Sequence, residues 1–224
     1  MPLVASIVIP LLTVVATLGG GWLVTTRITD HWDRVKKARE MDLAAAHDFQ
    51  KQYGEFVAVW KLWSAMKDAG TRLPAISMAE DTAWRCLERT VATEGAIEAL
   101  LAKLVAERRL DPTQIEILGA VRQAFKTLRR AIYADAHLGW NSDSHPHYLS
   151  FKILTAETST LLNTPRGIKK DQRPSAAEAA HAFQLITENR HEPGNRNAWY
   201  DAPERLGLRS WSHVPPMASA HRDL

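Results

Sequence analysis

A single cysteine, Cys86, stands in the 224 residues, so no disulfide can close within the chain, which fits a reducing compartment or a fold that needs no staple. Catalytic signatures are also missing. There is no Gly-x-Gly-x-x-Gly, Walker loop, Gly-x-Ser-x-Gly or His-Glu-x-x-His, the spacings that cradle phosphate, build a nucleophile elbow or ligate catalytic zinc. The runs Gly19-Gly20-Gly21 and Pro165-Arg166-Gly167 lack the strand-before, helix-after setting in which a loop holds phosphate. Beyond the N-terminal region no stretch alternates apolar and polar residues with period two, which excludes half-buried strands and makes the fold class all-α. Charge of one sign is scarce too. Against 25 Asp+Glu stand 28 Lys+Arg, a net +3, too even for a nucleic-acid binder, and no recognition-helix or sheet motif supplies another route. Nucleic acid is therefore not an expected partner.

The most telling absence is local. Residues 3–26 contain no ionisable side chain, and a helix needs about 20 apolar residues to cross a bilayer core roughly 30 Å thick. A cleaved signal peptide would want a basic start and a small-x-small cleavage site. Here the first basic residue, Arg27, follows the apolar run, so residues 1–26 read as an uncleaved transmembrane anchor. Arg27, Arg34, Lys36, Lys37 and Arg39 then cluster on its C-terminal flank, and the positive-inside bias puts the N-terminus outside and the rest in the cytoplasm. The expected location is the inner or plasma membrane, single-pass. Small residues four apart, Ala16 and Gly20, allow a second helix to approach closely and are candidates for association of the span with itself. Trp22 and Trp32 bracket the cytoplasmic interface, where indoles settle.

What is present downstream is helical. Residues 27–48 read as a juxtamembrane stalk with an interrupted apolar stripe. From Phe49 the stripe is continuous, through Tyr53, Phe56, Trp60 and Trp63, at the three-four spacing of a packed helix. Phe56, Trp60 and Trp63 are core candidates and, alternatively, a docking face for an unknown protein partner. Ser77 with Glu80, Asp111-Pro112 with Gln114, and Ser175 with Glu178 are helix-start signatures. The helix after Ser77 should turn Trp84, Leu87, Val91, Ile97, Leu101 and Leu104 inward. The next should turn in Ile115, Leu118, Val121, Phe125, Leu128 and Ile132. A helix to Asn163 and a short one after Ser175 complete a cytoplasmic bundle of four to five helices over residues 49–190. Prolines 193, 203, 215 and 216 with Gly194 and Gly207 predict a disordered tail over 191–224, with Trp199, Tyr200 and Trp211 as short anchors.

Three groups of side chains carry candidate chemistry. Arg122, Lys126, Arg129 and Arg130 share one helix face and, with Lys169, Lys170 and Arg173, could meet an anionic lipid surface. Asp143, His145 and His147 have residue types that ligate zinc, although no cysteine or distant histidine pair completes the set. Cys86 beside Trp84 and Leu87 reads as a small core residue rather than a nucleophile. No cofactor is implied. The expected function is a non-enzymatic, membrane-tethered interaction module: an adaptor, regulator or effector subunit. Two other classes stand beside it: a membrane-perturbing toxin or defence effector oligomerising through its span, and a metal-dependent hydrolase built on His145 and His147.

Overall fold

The computed structural model describes the backbone of residues 2–70, 76–140, 145–164 and 173–208, and the side chains of those residues except 2–21, 23, 24, 26, 69, 70 and 76–79. The described residues are all-α, with no strand among them. Two compact units divide the chain, Met1–Asp42 and Leu43–Leu224.

Helix α1 runs over Pro2–Gly70, ending where glycine first offers both a breaker and a proline shortly after, at Pro74. Gly54 lies inside it without stopping it, as expected of a glycine in a helix held by packing. In the first unit, residues 27–34 are exposed on every face, including Ile28 (51%) and Trp32 (66%), as is Trp22 (70%). Within the segment 27–48 read as a stalk, Asp42, Ala45 and Ala46 are nevertheless buried, the two alanines in the core of the second unit. Among the described residues no helix is long and apolar enough to cross a membrane. Most of the apolar run, with Ala16 and Gly20, lies outside the residues whose side chains are described.

In the second unit the remainder of α1 joins α2 (Ile76–Glu107), α3 (Pro112–Tyr133), α4 (Pro146–Asn163), α5 (Ala176–Thr187) and the single turn α6 (Ala202–Arg205). Helix α3 is the centre, packing against α2, α4 and α5. Asp111 caps it: its carboxylate accepts from Gln114 N at 2.9 Å, and Gln114 Oε1 accepts from Asp111 N at 3.1 Å. The six apolar positions expected inward on α3 are all buried. Ser175 and Glu178 cap α5 in the same reciprocal way. Helix α2 begins at Ile76, so Ser77 falls within its first turn rather than capping it.

Two expectations about burial are corrected. Trp84 and Val91 are exposed, at 68% and 51%. The buried line of α2 runs instead through Cys86, Thr90, Thr93, Ile97, Leu101 and Leu104. Thr90 and Thr93 return their hydroxyls to the carbonyls of Leu87 and Arg89, each at 2.8 Å, so polar residues occupy the interior register at little cost. The second correction concerns the tail. Its described part folds: 3-10 turns at Asn189–His191 and Trp199–Asp201 lead into α6, and Trp199, Ala198 and Ala202 are fully buried. The prolines shape a compact strap rather than preventing order, because one indole fills a slot beside Trp140 at 5.7 Å between centroids. Residues 209–224, with Trp211, lie outside the described residues.

Candidate interaction surface

The aromatic stripe of α1 faces inward. Phe56 is 2% exposed, Trp60 8% and Trp63 0%, which corrects their reading as a partner-docking face. Phe56 meets Phe151 at 4.5 Å and Phe125 at 5.1 Å, and Trp60 lies on Tyr148 at 4.9 Å. Rings at these separations attract beyond their area burial. Trp63 reaches further and donates its indole N–H to Ala136 O at 2.9 Å.

The basic face of α3 is likewise committed. Arg122 is buried, donating to Glu98 through Nε at 2.8 Å and to the Thr187 carbonyl at 3.2 Å. Lys126 is 9% exposed and donates to Asn189 Oδ1 at 3.3 Å. Burial first, and Arg122 next to it, push its ammonium below the usual lysine value. Arg129 pairs with Glu94 at 2.7 Å and Arg130 with Glu192 at 2.5 Å. Since each cation is partnered by an acid or a carbonyl of a neighbouring element, these four tie the bundle together; Arg122 and Lys126 are buried and are corrected as an anionic-lipid surface, while Arg129 and Arg130 stay partly exposed beside their acids. Lys169 and Lys170 lie outside the described residues; Arg173 is exposed.

Of the metal candidates, Asp143 lies outside the described residues. His145 is the N-cap of α4, its Nδ1 accepting from His147 N at 3.3 Å. His147 stacks on Tyr200 at 4.1 Å and 16°. Burial, then the neighbouring His145, hold its imidazole below the ordinary histidine value. No group of three or more metal-ligating side chains occurs among the described residues. Cys86 is buried, and its thiol is pushed up by that burial, which leaves little thiolate for nucleophilic chemistry.

A different surface emerges between α2 and α3. Glu80, Asp81, Ala83, Trp84 and Leu87 face Ile132 and Tyr133 across an open cleft of about 530 Å³. Trp84 (68% exposed) and Tyr133 (83%) stand over a floor of Leu87 and Ile132. Glu80 and Asp81 form an acidic rim, with Asp81 held by Arg85 at 2.8 Å.

The placement of Tyr133 follows from how α3 stops. Ala136 N donates to Ala131 O at 2.8 Å, and Asp135 takes φ 52°, a left-handed conformation that aspartate tolerates better than most residues. Lys67 of α1 pairs with Asp135, and Trp63 of α1 bonds to Ala136. This clamp fixes the end of α3 and hence the phenol of Tyr133, two residues before Asp135. The signal for the cleft was present in the sequence as an aromatic ring displaced from each helix's buried line: Trp84 two residues before Cys86, and Tyr133 one after Ile132.

No family model, curated protein or solved structure matches this chain.

Proposed function

We propose that the chain is a membrane-tethered helical interaction module, an adaptor or effector subunit, that holds a partner in the α2–α3 cleft. One observation carries this reading: two large exposed aromatic side chains, Trp84 and Tyr133, line one cleft with an apolar floor. Most other large side chains of the second unit are spent on its core. Exposed tryptophan and tyrosine over such a floor are the residues that dominate protein–protein binding energy. The acidic rim favours a partner segment that offers an aliphatic side chain to the two rings and Lys or Arg to Glu80 and Asp81.

The tether is the second half of the proposal. Residues 3–26 lack any ionisable group, and exposed Trp22 and Trp32 stand on either side of Arg27, where the basic collar begins. That pattern suits a single span with its C-terminal side in the cytoplasm. Confinement to a membrane raises the effective concentration of two weak partners and makes a modest cleft sufficient.

Two measurements test the halves separately. An alkaline wash should leave the full-length chain with the membrane pellet and release a version lacking residues 1–26. Release of both chains sinks the anchor. For the cleft, photo-crosslinking from a probe at position 133 in native membranes should yield a discrete adduct, and Trp84→Ala should reduce it by at least about tenfold, the factor that 1.4 kcal/mol represents. Unfolding stability of that variant should stay within about 0.5 kcal/mol of the parent, since the ring is exposed. Undiminished crosslinking in a folded Trp84→Ala chain refutes the docking surface.

A further inference from the structure

The strap over residues 189–208 is pinned by a histidine whose protonation state its neighbours dictate. His191 is 1% exposed. Its Nε2 accepts a hydrogen bond from Arg190 Nε at 3.2 Å, and its Nδ1 lies 3.2 Å from the Asn197 carbonyl. A guanidinium can only donate and a carbonyl can only accept. The network therefore assigns the neutral ring with its proton on Nδ1. The ring packs closely on Gly119 of α3, where a Cβ would come within 2.9 Å of its Cδ2 and Nε2.

We propose that His191 is a pH-sensitive latch that holds residues 189–208 on the bundle and releases them on acidification. A proton arriving at Nε2 removes the acceptor for Arg190, sets a second positive charge against that guanidinium, and leaves a cation in a buried site. The other charged groups facing the ring do not relieve this. Among the described residues Glu116 of α3 is the one acid acting on the ring, and it is already paired with Arg205 of α6 at 2.8 Å. Helix α5 approaches this place through the Ile186 carbonyl, 3.5 Å from the Gly119 Cβ position. Burial above all holds the imidazole below its ordinary value, with Arg190 adding to it and the Asn197 carbonyl and Glu116 opposing. The sign follows. A histidine lowered by folding contributes its full docking stability above the unfolded value of about 6.5, and that contribution fades as the pH falls below it. Release uncovers the slot of Trp199, whose indole packs on Trp140 and on His147 at 5.9 Å.

The test is hydrogen exchange of the full chain followed by mass spectrometry between pH 7.5 and 5.0, with rates corrected for intrinsic chemistry. Peptides covering 189–208 should lose protection by about tenfold for each unit by which folding lowers the imidazole, while those from the middle of α3 stay protected. His191→Gln, whose amide can accept from Arg190 and donate to Asn197 without titrating, should abolish the difference. An unchanged strap, a strap and α3 that open together, or a His191→Gln chain that responds like the parent each overturn the latch. Should that variant not fold, imidazole 15N shifts of the parent decide: a proton on Nδ1 at pH 7.5 supports the latch, and a proton on Nε2 or a charged ring refutes it.

Discussion

Gly119 shows how much one missing carbon can matter. It sits in the buried middle of α3, where glycine costs helix stability relative to alanine, yet an added methyl would overlap the His191 ring at 2.9 Å. Gly119→Ala should therefore destabilise the bundle by about 1–3 kcal/mol, the range for overpacking a tight contact, despite the better helix former. Urea unfolding of the two chains measures this, and an alanine chain as stable as the parent would mean the strap yields without cost. The residue is informative about legibility. Apolar stripes on α1, α3 and α4 could be read because Phe, Trp, Leu and Ile recur at helical spacing. The interior of α2 could not, because Thr90 and Thr93 carry it while satisfying their hydroxyls locally. Nor does spacing report that Arg122 meets the end of α5 and Lys126 the start of the strap, some sixty residues later: a basic stripe looks the same whether water or a folded segment covers it.

Between elements, charged ties accompany apolar packing, and the one linking α1 to α2 has a definite pH signature. Arg89 Nε donates to Glu55 Oε1 at 2.5 Å. That hydrogen bond, opposed by desolvation and helped by the charge of Arg89, holds the Glu55 carboxyl below its ordinary 4.5. A carboxylate lowered by folding contributes stability that is complete above its unfolded value and is lost as the pH falls through the folded one. Both side chains are more than a third exposed, so the contribution is at most about 1 kcal/mol. Glu55→Gln should cost that much or less at pH 7 and less still at pH 3, flattening the acid limb of the stability curve. Equal losses at both pH values would assign the effect to packing rather than charge. Helix starts were the most legible feature of this kind, since Asp111 and Ser175 act on residues three positions away. The strap was the least, because a proline- and glycine-rich composition resembles disorder until a distant slot for Trp199 exists.

At the level of the whole molecule, the division near Asp42 makes a prediction about autonomy. The second unit holds the described core, with Phe49, Phe56, Trp63, Leu118, Leu128 and Phe151 all almost fully buried. A chain beginning at Arg39, which keeps the buried Asp42 and its flanking turn, should unfold within about 0.5 kcal/mol of the full-length protein, since the described core lies in the second unit and residues 27–34 are exposed. A loss of several kcal/mol would show that the first unit supports the second, and the tether and the cleft could then no longer be treated as separable parts.

The aromatic cluster around Phe56 also dictates an order of events during synthesis. Its rings come from α1, from Phe125, from Trp140, from Phe151 and, last, from Trp199. Loops of many residues must close before the first of these contacts is rewarded. While the chain is nascent, the Phe49–Trp63 seam is the first aromatic part of the second unit's core to emerge and among the longest to wait for cover. A chaperone acting on this protein should recognise that seam, and recognise it before α3 has left the ribosome.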